Sequence, residues 1–196
     1  HYDGQHFERF MGRTDVAPAA AYENVWAVSE DFDGDFWVGS LGRGLACRDS
    51  RTGVWRQWDR INDGLTSDYI QKIVPLRGNS VCVGTSGGLC VINKSNETVR
   101  QVSSDLGLVN TRIVDLYADS RGLLWVAASN GLYAIDPESG NTLVHLHSRN
   151  GLSTDAVVGI VEDRRGTMWV SATSGIININ VLRNSKTDEY EFNSFT

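Results

Sequence analysis

The stretch Leu116-Tyr-Ala-Asp119-Ser-Arg-Gly122-Leu-Leu-Trp125-Val126-Ala127 decides the fold, because the chain repeats it. It recurs as Val28-Ser-Glu-Asp31-Phe-Asp-Gly34-Asp-Phe-Trp37-Val38-Gly39 and as Ile160-Val-Glu-Asp163-Arg-Arg-Gly166-Thr-Met-Trp169-Val170-Ser171. A weaker copy, Ile73-Val-Pro-Leu76-Arg-Gly-Asn79-Ser-Val-Cys82-Val83-Gly84, lies between the first two. The aligned positions Val28, Ile73, Leu116 and Ile160 are separated by 45, 43 and 44 residues. A period of that size is the length of one propeller blade.

Each copy reads as four short strands. A buried apolar run comes first: Val25 to Glu30, Ile70 to Val74, Ile113 to Tyr117 and Val157 to Val161. An Asp-x-x-Gly turn follows, with Asp bonding local backbone and Gly supplying positive φ. The second strand centres on Trp37-Val38, Cys82-Val83, Trp125-Val126 or Trp169-Val170, and the third starts at Gly44-Leu45, Gly88-Leu89, Gly131-Leu132 or Gly175-Ile176. The fourth carries apolar residues three apart (Trp55/Trp58, Val99/Val102, Leu143/Leu146, Phe192/Phe195), which predicts a bulge or strong twist in that outermost strand. Strands at this spacing, with glycine turns and no helical period, predict an all-β fold of four four-stranded antiparallel blades. The blades span about 24–59, 68–103, 111–147 and 155–196, in one propeller segment covering 1–196.

Phe7-Glu-Arg-Phe10 has the fourth-strand pattern, so residues 5–11 read as an extra outer strand of a preceding blade. Five outer strands against four sets of the others predict a partial propeller cut from a longer array, with an unpartnered flank at each end. The alternative is a self-contained ring of four blades.

Composition bounds the function. The 196 residues are 41% hydrophobic and 21% charged, an ordinary globular balance. Eighteen basic residues against 24 acidic ones give a net charge of −6, with no clustered Lys/Arg for a grip on nucleic acid. No apolar run approaches the ~18 residues needed to cross a bilayer, and no direct membrane contact is expected. The chain opens at His1 without Met and without a basic-then-apolar leader, which reads as a processed product or an excised piece. Three Cys make no disulfide framework and no metal spacing. Cys82 and Cys90 flank one hairpin, but Cys82 should face Val91 while Cys90 points the other way. No phosphate loop, nucleophile elbow or zinc pattern occurs, so no cofactor, metal or catalytic residue is assigned.

The tract Glu30-Asp31-Phe-Asp-Gly34-Asp-Phe36-Trp37-Val38-Gly39, with Asn62-Asp63-Gly64-Leu65 before the next blade, resembles the two-component regulator propeller repeat. The resemblance covers nearly the whole chain in four copies. Blade two departs from it, with Leu76 for the Asp and Cys82 for the Trp. The resemblance implies seven-bladed propellers in the periplasmic sensor part of hybrid histidine kinases, common in gut Bacteroidetes, that sense oligosaccharides. It implies a periplasmic ectodomain of an inner-membrane protein, not itself an enzyme, with kinase, receiver and DNA-binding parts elsewhere in the parent chain. Two other readings compete: a protein-interaction scaffold, and a lyase similar to virginiamycin B lyase. A lyase needs a base on the central face, whereas His145 and His147 fall on an outer strand.

The Trp column (Trp37, Trp125, Trp169) reads as packing between blades, and the Asp column (Asp31, Asp119, Asp163) as turn caps. His145-x-His147 has a spacing a metal could use, but His145 aligns with Gln57 and Gln101, a polar rim position. Ligands of propellers sit where the entering loops and the second-to-third-strand loops converge. Those loops carry Asp68, Tyr69, Asn110, Arg112 and Asp155, together with Arg43 and Asn130. Trp26 stands in a column that otherwise holds Gln71, Val114 and Val158, so packing does not demand an aromatic there. Flat aromatic faces beside Arg, Asn and Asp are the chemistry of sugar recognition. The expected partners are therefore an oligosaccharide or other small ligand, and neighbouring blades or a second copy at the open edges.

Overall fold

The computed structural model describes residues 23–102, 108, 110–183 and 190–195. Among them there is no helix. The sixteen strands form four separate antiparallel sheets, each taken in chain order. The first sheet comprises β1 (Val25–Glu30), β2 (Phe36–Ser40), β3 (Leu45–Arg48) and β4 (Trp55–Trp58). The second comprises β5 (Ile70–Leu76), β6 (Ser80–Thr85), β7 (Gly88–Asn93) and β8 (Thr98–Gln101). The third comprises β9 (Ile113–Ala118), β10 (Leu124–Ala128), β11 (Gly131–Ile135) and β12 (Thr142–Leu146). The fourth comprises β13 (Val157–Glu162), β14 (Met168–Ala172), β15 (Gly175–Arg183) and β16 (Tyr190–Phe195). These are four propeller blades. The extra outer strand expected at 5–11 lies outside the described residues.

The blades stack face to face in chain order. Inner strand β1 lies against β5, β5 against β9, and β9 against β13, while β1 and β13 share no comparable contact. The arc is open, as a partial propeller requires. Three apolar clusters fill the three interfaces. Trp37, Leu45 and Trp58 meet Ile70, Ile73 and Val83 in the first. Cys82 and Leu89 meet Ile113, Leu116 and Val126 in the second. Trp125 and Leu132 meet Val157, Ile160 and Val170 in the third. Trp37 and Trp125 are fully buried, each removing roughly 150–250 Å² from water. Trp169 occupies the same column but keeps 38% of its surface exposed, because no further sheet among the described residues covers its face. Its reading as buried core is corrected to that extent.

The Asp column does what its place before each turn glycine predicts, and more. Asp31 accepts the backbone N–H groups of Asp33 and Asp35, Asp119 those of Arg121 and Leu123, and Asp163 those of Arg165 and Thr167. The second carboxylate oxygen of each takes the indole N–H of the Trp six residues on, at 2.9, 3.0 and 2.9 Å. Aspartate and tryptophan are thus one unit. Blade two lacks both partners, with Leu76 and Cys82 in their places, and leaves no orphan.

The bulge that apolar spacing placed in the outer strand occurs in one blade, where register skips Leu143. Outer strands β4 and β8 pair without interruption, and among them only β12 shifts register. The recurrent irregularity lies in the inner strands. Register skips Trp26 in β1, Gln71 in β5, Val114 in β9 and Val158 in β13. In the outer strand the second apolar member of each three-residue pair, such as Trp58 or Leu146, is the buried one.

Cys47, Cys82 and Cys90 are buried free thiols. Cys82 pairs with Val91 across the hairpin and lies in the second interface, whereas Cys90 lies in the first.

Candidate functional site

The loops that precede each inner strand and those joining second to third strands gather at one end of the arc. A repeated backbone bond ties them together. The N–H after each second strand donates to the carbonyl just before the inner strand: Leu41 to Asn24, Ser86 to Tyr69, Ser129 to Arg112, and Thr173 to Ala156. Tyr69 and Arg112 are therefore equivalent residues of adjacent blades. Two residues further along each chain segment stands the bulge position, so a second tier holds Trp26, Gln71, Val114 and Val158. Bulges re-aim side chains and are common beside functional sites. Trp26 is 63% exposed, and Tyr69 and Val158 are exposed as well.

The eight residues singled out from sequence divide into two groups. Trp26, Tyr69, Arg112 and Arg43 offer solvent-exposed side chains at this end. Arg112 reaches Gln71 Oε1 at 3.4 Å, and Arg43 pairs with Glu23 at 2.7 Å on the open surface. The other four are tied into the loops that carry the site. Asp68 accepts the Arg60 N–H through its side chain, and its carbonyl takes the N–H groups of Gly42 and Gly44. Asp155 accepts the Ser148 N–H, and that bond holds its carboxyl below the usual range. Asn130 donates to the Tyr133 hydroxyl at 2.9 Å, and Asn110 occupies a left-handed turn position at φ 55°.

Sequence reasoning missed a polar pair on the inner strands. Lys72 on β5 and Asp115 on β9 meet at 2.8 Å, and Asp115 also accepts the Ile160 N–H on β13 at 2.9 Å. One carboxylate thereby joins three consecutive blades. The signal was present: charged residues sit where blades one and four have Ala27 and Gly159.

A second missed cluster lies away from the loop-bearing end. Lys94 Nζ contacts Asp31 at 2.9 Å, Asp33 at 2.8 Å and Asp35 at 2.7 Å, tying the β7–β8 turn of blade two to the first turn of blade one. Burial opposes charge on Asp31, but the Trp37 indole and the Lys94 ammonium outweigh it and lower its pKa. Burial likewise opposes charge on Asp35, and the Lys94 contact and the Ser50 bonds outweigh it. Lys94 is buried too, yet its three carboxylate partners raise its pKa. A comparable tie joins blades three and four, where Arg121 meets Glu162 at 3.4 Å and the Gly166 carbonyl at 2.9 Å.

His145 and His147 are engaged locally. The His145 ring stacks on Tyr133 at 3.9 Å and its Nε2 lies 3.2 Å from the Asn130 carbonyl, the same contact that Gln57 makes with the Arg43 carbonyl. His147 Nδ1 accepts the Arg149 N–H. A groove of about 1420 Å³ opens at the opposite end, where the outer parts of blades two and three diverge; Arg77, Arg100 and Glu138 line it. It is a wedge between sheets, remote from the bulge tier.

The family model for the two-component regulator propeller matches residues 107–130 and 151–174. Those two segments match two-component regulator propeller repeats. Each matched segment starts at the Gly-Leu that leads into an inner strand and ends in the loop after the Trp strand, so it frames one bulge and one Asp–Trp unit. Among solved structures, repeats of this chain superpose on the extracellular domains of two proposed hybrid two-component systems of B. thetaiotaomicron. One has a TM-score of 0.69 at 21% identity, covering 86% of this chain and 22% of that one. The other has a TM-score of 0.64 at 20% identity, covering 83% and 22%. Virginiamycin B lyase from Staphylococcus aureus superposes with a TM-score of 0.60 at 15% identity, covering 86% and 54%. At these identities the likeness is one of fold. The chain spans about a fifth of the length of the two-component relatives. No curated protein sequence matches it at the same stringency.

Proposed function

We propose that this regulator-propeller segment belongs to the extracytoplasmic part of a hybrid two-component sensor. Its loop-bearing end takes an oligosaccharide, and occupancy is reported to a histidine kinase elsewhere in the parent protein. The observation that carries the reading is Trp26, an exposed indole on an inner-strand bulge, at the same end as Tyr69, Arg112 and Gln71. An indole face suits the apolar face of a pyranose ring, and Arg112 and Gln71 supply directional donors and acceptors for hydroxyls. The repeats and the extracellular two-component domains of like fold support the compartment and the sensor class. Signalling requires that the saccharide bind two arrangements of the receptor with different affinity.

The test is a saccharide array read by tryptophan fluorescence, run on this chain and on the complete ectodomain. A saccharide that shifts the emission of the native ectodomain but not of its Trp26→Ala variant is the expected result. An ectodomain that binds no saccharide at all overturns the ligand class.

A further inference from the structure

The groove between blades two and three lies where the neighbouring interfaces are tied shut. In the first interface Lys94 of blade two reaches Asp31, Asp33 and Asp35 of blade one, and Arg56 of blade one meets Glu97 of blade two at 3.2 Å. In the third, Arg121 grips Glu162 and the Gly166 carbonyl. The second interface carries other residues in the same columns. Leu76, Gly78 and Ser80 stand in place of the three aspartates, and Pro137 in place of Lys94. Gly78 also stands in place of Arg121, and Ala118 and Gly122 face it in place of Glu162 and Gly166. Leu76, Ser80, Ala118, Gly122 and Pro137 all line the groove. The wedge is therefore open because of its own sequence, and both of its walls are blades of this chain.

One arginine marks what the groove recognises. Arg100 holds in blade two the place of Arg56 in blade one, since Arg56 pairs with Cys47 and Arg100 with Val91 across equivalent strands. The turn it faces carries Gly140 at φ 77° where the first interface has Glu97 at φ 59°. A Cβ on Gly140 would stand 3.1 Å from Arg100 Nη1. The guanidinium thus reaches the turn as Arg56 does, but glycine brings no carboxylate to meet it. Among the described residues no carboxylate lies within ion-pair distance of Arg100, nor of Arg77, which lines the same groove. Most other charges there are engaged: Arg121 by Glu162, Asp119 by Arg121 and the Trp125 indole, and Asp136 by the Ser139 hydroxyl and the Glu138 N–H. Glu138 on the blade-three wall opposes a second negative charge. The apolar part of the lining includes Leu76, Val91, Leu143 and Phe32, whose ring is 76% exposed.

We propose that this groove binds a small organic monoanion, an aryl or alkyl acid. Its acid group pairs with Arg100, as the Glu97 carboxylate pairs with Arg56, and Arg77 adds a second guanidinium charge. Its apolar body lies on Leu76, Val91 and Phe32. The site is separate from the loop-bearing end and does not rest on the saccharide reading.

The experiment titrates the chain with 8-anilinonaphthalene-1-sulfonate, an aromatic monoanion that fluoresces when its rings leave water. The wild type should bind it, and naphthalene-2-carboxylate should displace it where the uncharged naphthalene-2-methanol does not. Arg100→Gln should weaken binding at least about tenfold. Gly140→Glu gives Arg100 the partner that Arg56 has, and should weaken binding as much with every arginine in place. Arg51→Gln, on an exposed turn of blade one, should leave affinity unchanged; circular dichroism reports that each variant is folded. A wild type that binds no probe overturns the proposal. So does unchanged affinity in Arg100→Gln or in folded Gly140→Glu, which would put the probe on exposed apolar surface elsewhere, and so does displacement by the alcohol as readily as by the acid. Arg100→Gln alters an exposed side chain, so the test stands even if Gly140→Glu fails to fold.

Discussion

The Asp119 carboxylate holds the Trp125 indole N–H at 3.0 Å through one oxygen and the turn backbone of Arg121 and Leu123 through the other. The turn and the interface tryptophan are therefore positioned by a single side chain. Trp125→Phe should cost about 1–3 kcal/mol, since it removes a buried hydrogen bond and leaves that carboxylate oxygen to Arg121 Nε at 3.2 Å. Asp119→Leu should cost more, because it also releases the turn. The double substitution Asp119→Leu with Trp125→Cys reproduces blade two and should cost less than the sum of the two single changes. Urea denaturation of the four proteins measures this; additivity within about 0.5 kcal/mol would refute the coupling.

Packing at Gly84 is tight enough to be read by one methyl. Gly84→Ala drives a carbon into Ile113 and should destabilise by about 1–3 kcal/mol. Ile113→Ala on the same chain removes the clashing Cγ2, so the double variant should be less destabilised than the sum of the two single changes. Melting temperatures of the single and double variants decide the matter.

The Lys94 cluster sets limits at both ends of the pH range. Asp31 and Asp35 sit below the ordinary aspartate value of 3.8, so their contribution is complete above it and fades as pH falls through their folded values. Lys94 sits above 10.5, so its contribution is complete below that and fades as pH rises through its folded value. Lys94→Met should lose about 3–5 kcal/mol near neutrality, because three carboxylates lose their common partner. The difference between wild type and variant should shrink towards both extremes of pH. A difference that stays flat across the range would contradict the charge assignment.

The three thiols should be inert in the folded chain. Burial pushes Cys47 up to about 12 and raises Cys82 and Cys90 as well. Thiol reagents at mildly alkaline pH should label none of them natively and all three in urea. Rapid native labelling of Cys82 would mean that the second blade interface opens.

Sequence alone revealed what repeats. Blade length, the Asp and Trp columns and the opposed faces of Cys82 and Cys90 all follow from packing demands that recur at a fixed interval. Features that depend on register or on distant pairs stayed hidden. Nothing in the run Val25 to Glu30 marks Trp26 as the residue that register skips, because a bulge shows only when the partner strand is aligned. The Lys94 contact joins residues 59 to 63 positions apart, and no local pattern announces it. Trp169 looks like its buried counterparts because exposure depends on a neighbouring sheet, not on the residue. For the candidate site, sequence pointed to the loop-bearing end and to Trp26, but it could not tell loop-bracing side chains such as Asp68 and Asp155 from exposed ones such as Tyr69.

The inner-strand bulge has an evolutionary corollary. Where the residue skipped by strand register is exposed, as Trp26 and Val158 are, it carries little of the folding free energy, so its identity can change at small thermodynamic penalty. Such a scaffold can drift towards new ligands one blade at a time while every wedge keeps its shape.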